Sequence, residues 1–284
     1  MKTSNLSNPT SPGGENQISE QRLKSFYKYS DGYLRHLKEK DADFFIDYIT
    51  LVSKYIVLNS MRIIDLGCGT GMSSRNLTKK NAMTVGTDIS HLFLQDKSSS
   101  NLGSVRFVVS DAMTLPFRKH TFDIICSHEF IEHIPNVPQV LTEMIRVVKE
   151  NGIIIIMSPN MYSPVVAFRN LFYLLNRNET VIPWVETRVA AVKWLSNSLF
   201  VLVRKKMNLK STFNYRVPDL TDKAHSGGDH DSVYLSNAID ITKFLKQNGL
   251  KILEISHGRN VVGKIFSFVF PNFSSGVAIV AKRI

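Results

Sequence analysis

Three glycines at alternating positions, Gly67, Gly69 and Gly71, follow the apolar run Met61–Leu66 and give a G-x-G-x-G loop. Glycine lacks Cβ, so the main chain of such a loop can lie close against a ligand. A pyrophosphate-binding loop wants G-x-G-x-x-G/A. Here position 72 is Met72, whose bulk would crowd the helix start where phosphates sit. The spacing argues against NAD and for a ligand without phosphates. Asp88, about 20 residues on, ends the next apolar run and suits a carboxylate accepting both hydroxyls of a ribose. Glu129, Glu132 and His133 stand at i, i+3 and i+4, so on a helix they share a face. Two carboxylates and an imidazole could bind Mg²⁺, Mn²⁺ or Zn²⁺, with His225 or His230 as a further ligand. Such a cation would polarise an acceptor hydroxyl. The metal-free reading is preferred, because ligand spacing without geometry is only suggestive. It makes His133 a general base, with Glu129 beside it, or a histidine that packs a helix.

The elements that must hold these residues alternate. Apolar runs at Met61–Leu66, Ala82–Thr87, Val105–Val109, Phe122–Ser127 and Gly152–Met157 read as strands. Met72–Lys80 and Pro138–Lys149 read as helices, the second ended by Asn151-Gly152. This alternation predicts a doubly wound parallel sheet. Gln21–Lys38 and Asp41–Leu58 are expected to be helical, with Asp41 as an N-cap. Residues 161–231 break the alternation. Val185, Val189, Val192, Leu195, Leu199 and Leu202 form an apolar stripe at helical spacing there, read as an inserted helical cap that faces the core or an acceptor. Alternation then resumes with a helix from an N-cap at Ser236 to Gln247, closed by Gly249, and strands at Lys251–Ser256 and Gly276–Ala281. Val261–Phe270 is apolar and unassigned. The expected organisation is a disordered leader (1–19), an N-terminal helical segment (20–59), a core (60–158), the cap (159–230) and a C-terminal completion of the core (231–284).

Composition narrows the class. A chain of 284 residues with 43% hydrophobic and 21% charged residues can bury one sizeable α/β core. No run of about 18 uncharged apolar residues offers a membrane span, and the polar start lacks the apolar stretch of a secretory signal. The two cysteines, Cys68 and Cys126, form no CxxC pair, which fits a reducing cytosol and a cytoplasmic protein. The net charge of +11 invites nucleic acid or anionic lipid as partners. The run Arg204–Lys210 is read more simply as a solvated helix end. Between Asn160 and His230, ten Lys/Arg face five Asp/Glu, and this basic, apolar cap suits a hydrophobic or anionic acceptor or peripheral contact with an anionic membrane.

With Ile63-Ile64-Asp65 before it, the segment Ile-Ile-Asp-Leu-Gly-Cys-Gly-Thr-Gly resembles motif I of the class I S-adenosylmethionine-dependent methyltransferases. The resemblance covers about residues 61–158, with a weaker tail over 231–284. Thr87-Asp88-Ile89-Ser90, Ser110-Asp111-Ala112 and Phe122-Asp123-Ile124-Ile125 match further blocks in order. Arg146-Val147-Val148-Lys149-Glu150-Asn151-Gly152 stands where the family has its L-(K/R)-P-G-G turn, with Glu-Asn in place of Pro-Gly. The resemblance implies a Rossmann-like, seven-stranded, mostly parallel sheet and S-adenosylmethionine as cofactor. It implies a cofactor set of Asp65, Gly67, Cys68, Gly69, Gly71, Asp88, Ile89, Asp111, Ala112 and Ser127. Asp65 would hold the methionine ammonium and Asp111 the adenine amino group. His133 and Glu129 would be catalytic. In some RNA 2′-O-methyltransferases and ubiquinone-pathway enzymes, residues matching Glu129, Glu132 and His133 hold a divalent metal. The expected activity is methyl transfer to a small-molecule, lipid or glycan acceptor. The alternatives are a metal-dependent RNA 2′-O-methyltransferase, with nucleic acid as partner, and a non-catalytic binding protein of the same fold.

Overall fold

Seven strands form one sheet in the order β3-β2-β1-β4-β5-β7-β6. They are β1 Arg62–Leu66, β2 Met83–Asp88, β3 Arg106–Val109, β4 Phe122–His128, β5 Val148–Pro159, β6 Leu250–Ser256 and β7 Gly276–Arg283. All neighbours in β1 to β5 are parallel, and β7 alone runs against the rest. The computed structural model describes residues 15–58, 60–79, 82–95, 105–221, 229–256, 270 and 272–284. The leader before Glu15, His225 and the Val261–Phe270 segment up to residue 269 lie outside the described residues.

Period-two alternation sends successive side chains of the central strands into two cores. Ile64, Leu66, Ile125, Ile154 and Ile156 pack on helices α6 (Val137–Val147) and α9 (Ala238–Gln247). Ile63, Ile124, Cys126, Ile153 and Ile155 pack on the other face, against α3 (Ile46–Ser53) and Leu77 of α4 (Met72–Thr78). Each fully buried isoleucine contributes about 1.5–3 kcal/mol by leaving water. That is why the strands read as continuous apolar runs.

Four expectations need correction. The expected helix 41–58 is broken: Asp41 does accept a bond from Phe44 N, but a 3-10 turn Asp43–Phe45 precedes α3, which ends at Ser53. Asn151-Gly152 does not end α6. The helix stops at Val147 and runs straight into β5, where Asn151 adopts φ 61° and the ladder with β4 shifts register. Asparagine tolerates that left-handed conformation, so a strand bulge uses the residues read as a helix stop. The N-cap of α9 is Asn237, whose side chain accepts from Asp240 N; the Ser236 hydroxyl donates to Pro159 O instead.

The fourth concerns the region after β5, which folds as α7 (Pro164–Asn176) and α8 (Arg188–Met207). The predicted stripe is split. Val185 and Leu202 are buried as expected, but Val189, Val192 and Leu199 are exposed, and Ala191, Ser198 and Lys205 take inward positions. Lys205 also departs from its solvated reading. Its ammonium donates to Asp240 Oδ2 and Asn214 Oδ1, both at 2.6 Å, and is 2% exposed. A buried cation with a carboxylate partner can face inward where an apolar residue would be expected. Lys243 reaches back to carbonyls at the end of α8, including that of Asn208. These contacts fix the cap to α9. Before the sheet, α1 (Glu15–Tyr29) and α2 (Asp31–Lys38) form an N-terminal arm, α2 capped by Ser30. The short α5 (His91–Leu94) follows β2.

Candidate active site

The carboxyl ends of β1, β2 and β4 open into one crevice, the place where open α/β sheets collect ligands. It has two compartments that share Gly67, Gly69, Glu129 and His133. The first encloses about 780 Å³ and contains Asp88, Ile89, Asp111, Ala112 and Met113. The second, about 870 Å³, contains Asp65, Cys68, Ser73, His128, Asp229 and Asp231.

The glycine loop is shaped by its neighbours as much as by a ligand. Gly67 and Gly71 take φ of 66° and 80°, a region costly for side chains. A Cβ on Gly67 would stand 2.1 Å from the Phe130 ring, and one on Gly71 2.4 Å from Phe107. Gly69 N donates to Asp88 Oδ2 at 2.9 Å, and Ser90 N donates to Oδ1 at 2.9 Å. Enclosure by protein still dominates, and it pushes the Asp88 carboxyl up to about 6 against those two bonds. Asp88 is only half-buried by exposed area, so its oxygens keep access to the crevice.

Asp65 and Asp111 are both committed to protein partners. Asp65 is buried and accepts from Tyr48 (2.7 Å), Ser73 (2.6 Å) and Ser74 (2.7 Å) hydroxyls. A ligand ammonium would meet Ser73 as readily as the carboxylate. Asp111 accepts from Met113 N and pairs with Lys24 at 2.8 Å, and Lys24 also holds Glu20. Cys68 lies buried at the wall of the second compartment, where burial raises its thiol pKa well above the ordinary range. Ser127 is not brought to the crevice: strand alternation turns it into the sheet interior, fully buried, and presents His128 instead. His128 stacks on Tyr48 at 5.0 Å.

Glu129, Glu132 and His133 do not share one α-helical turn. Glu129 has φ 48°, and only Ile131–His133 forms a 3-10 turn. Glu129 and Glu132 converge with Asp229, ligand atoms lying within 4.8 Å of one another. Glu132 is fully buried, and neither of its carboxylate oxygens has a hydrogen-bond partner. Burial first, then Glu129 and Asp229, raise its pKa well above the usual carboxylate range. These residues fit a divalent cation in charge and donor type. His133 reaches this group through Nε2, 3.8 Å from Glu132 Oε1. Its Nδ1 lies 2.9 Å from the Tyr27 hydroxyl and 3.2 Å from Asp231 Oδ2, while Tyr27 donates to Asp231 at 2.6 Å. With that hydroxyl hydrogen committed, Nδ1 carries the ring proton and Nε2 presents a lone pair, a tautomer assigned from the network. His230 lines neither compartment; its carbonyl accepts from Asp219 N and Arg216.

Sequence reading missed the N-terminal arm. Leu23, Lys24, Tyr27, Tyr33 and Leu37 all line the first compartment. The available signal was Lys24 and Tyr27 at i, i+3 in an aromatic-rich segment, which places them on one helix face.

A family model for a methyltransferase domain matches residues 64–156. The chain is 33% identical over 119 residues to the 2-methyl-6-phytyl-1,4-hydroquinone methyltransferase of a Synechocystis strain, a stretch covering 39% of this chain and 37% of that one. The chain thus spans well under half of that relative's length. It is 22% identical over 192 residues to the ubiquinone biosynthesis O-methyltransferase of Pelagibacter ubique, covering 66% of this chain and 76% of the relative. Among solved structures, magnesium protoporphyrin IX methyltransferase from Synechocystis with bound S-adenosylmethionine superposes with a TM-score of 0.52 at 13% identity, over 94% of this chain and 97% of that one. That likeness establishes the shared fold.

Proposed function

We propose that the chain, whose residues 64–156 match a methyltransferase-domain model, is a class I S-adenosylmethionine-dependent methyltransferase that methylates a hydroxyl of a small, largely apolar acceptor, with His133 as general base. The carrying observation is the Tyr27–His133–Asp231 cluster at the junction of the two compartments. S-adenosylmethionine would supply a methyl group already activated on its sulfonium. The chain's tasks are then placement and removal of one proton. Asp88 and the loop amides would hold the ribose, with Asp111 and Ala112 beside the adenine. Asp65, through Ser73, would face the ammonium. Nε2 of His133 would take the acceptor's hydroxyl proton as that oxygen accepts the methyl group, the methyl–sulfur bond breaking to leave a neutral thioether. Asp231 then faces the imidazolium so formed, and Tyr27 keeps the ring in register. Tyr27 stays protonated, because enclosure and the nearby Asp231 raise its pKa well above the ordinary range. Of the relatives named above, one is by name a hydroquinone methyltransferase and another an O-methyltransferase of ubiquinone biosynthesis. Around His133 the apolar lining from Phe130, Ile134 and Pro135 supports an acceptor of that character.

A second reading adds a cation, supported by the Glu132 carboxylate, which is buried without a hydrogen bond. Glu129, Glu132 and Asp229 would hold it, and it would supply polarisation of the acceptor oxygen. Transfer of labelled methyl into fractionated metabolite, lipid, RNA and protein pools tests the proposal, run with and without EDTA. Label in apolar metabolites, lost in the His133→Ala and Asp231→Asn variants while cofactor affinity persists, is expected. Label in RNA alone, or cofactor binding with no label anywhere, refutes it; loss of activity in EDTA selects the second reading.

A further inference from the structure

Helices α7 and α8 carry their apolar residues on the side away from the core. On α7, Val165, Phe168, Phe172 and Leu175 fall at i, i+3, i+7 and i+10 and are each 44–60% exposed. On α8 the outward stripe noted above continues through Val203 and Met207, 58% and 78% exposed. The opposite faces are already used: Leu174, Ile182, Val185 and Ala191 bury one another, and Leu202 packs with Tyr162 and Ile239. Two amphipathic helices therefore show solvent the side that surface helices ordinarily bury.

Charge says what covers this surface. From Pro164 to Lys210 the chain has eight Lys/Arg and two Glu, and with Lys205 set aside as buried against Asp240 the excess is five within a whole-chain excess of eleven. Helical periodicity sets Arg188 and Lys206 on one flank of the α8 stripe and Lys193 and Arg204 on the other, and all four are exposed. Cations flanking an apolar face, with long stems able to lie along it, are the arrangement of a helix lying in a membrane interface. No helix among the described residues is long and apolar enough to cross a membrane. A second copy of the chain would bring the same positive excess against itself, which disfavours a self-complementary dimer.

We infer that the outward faces of α7 and α8 dock on an anionic lipid bilayer. The inference goes beyond the proposed chemistry and stands without it. Phe168 and Phe172 enter the acyl boundary, and the flanking cations meet lipid phosphates.

Co-sedimentation of the intact chain with vesicles tests it. Binding to phosphatidylglycerol/phosphatidylcholine vesicles should exceed that to phosphatidylcholine alone by about tenfold or more, at roughly 1 kcal/mol per cation near the surface. It should weaken steeply with salt. The double variant Phe168→Ser/Phe172→Ser and the variant Lys193→Glu should each lose about tenfold of that binding. Both should keep wild-type thermal stability and S-adenosylhomocysteine affinity, which separates this outcome from failure of the proposed chemistry. Absence of binding to anionic vesicles overturns the inference, as does binding insensitive to both variants. A wild-type dimer in velocity sedimentation that the serine variant dissolves would show a second copy covering the face and would overturn it too.

Discussion

Replacing Asp88 with Asn separates the cost this carboxylate imposes on the fold from the benefit it brings to a ligand. Enclosure raises its pKa from 3.8 to about 6. At about 1.4 kcal/mol per unit, keeping it ionised costs the ligand-free fold up to about 3 kcal/mol, less whatever the open crevice screens. The folded state holds the proton more tightly than the unfolded chain between those two values. Ligand-free stability should therefore fall as pH rises through that window and level off above about pH 6. A ribose diol reverses the balance, since hydrogen bonds to an ionised acceptor contribute about 1.5–3 kcal/mol each. Asn keeps one acceptor oxygen of two, so Asp88→Asn should weaken S-adenosylhomocysteine binding by about 1.5–3 kcal/mol, roughly 10- to 150-fold. Its ligand-free melting temperature near neutral pH should stay level or rise. Wild-type affinity should also climb from about pH 5 to about pH 7.5, and the variant's should not. Titration calorimetry across that range, with thermal denaturation of the free proteins, measures both. Equal affinities in the two proteins, or a wild-type affinity flat with pH, would refute the assignment of Asp88 to the ribose.

Gly67→Ala should lower stability by about 1–2 kcal/mol from the left-handed backbone alone. It should also abolish cofactor binding by driving Phe130 into the crevice, readable by calorimetry. Lys205→Ala leaves Asp240 buried and unpaired and should cost about 3–5 kcal/mol in denaturant unfolding, with much of it recovered in Lys205→Met/Asp240→Leu. Lys24→Ala frees Asp111 from a half-exposed ion pair, so stability should change by less than about 1 kcal/mol while cofactor affinity rises; an unchanged or lower affinity would show that Lys24 itself helps to hold the ligand.

The sheet was legible because its signal is local. Buried parallel strands must be apolar on both faces, and Ile153–Ile156 can be little else. The place of the glycine loop and Asp88 at the crevice was legible for the same reason, since each stands directly at the end of its strand. Choices decided by packing were not. Ser127 and His128 are adjacent, and only the phase of β4 against its neighbours determines which reaches the crevice. Val189, Val192 and Leu199 of α8 misled because periodicity gives the apolar face of a helix without saying whether core or solvent meets it. The true inward face of α8 includes Ser198 and Lys205, which hydropathy alone marks as surface. Lys24 and Tyr27 act from more than 80 residues away in sequence, through contacts with Asp111 and His133 that no spacing rule reaches.

A crystal structure of the chain with S-adenosylhomocysteine tests the central claim most directly. The ribose hydroxyls should lie within hydrogen-bond distance of Asp88, the adenine beside Ala112, and the sulfur open toward His133. A ligand bound elsewhere, or a crevice kept shut by Phe130 and the N-terminal arm at saturating ligand, would contradict it.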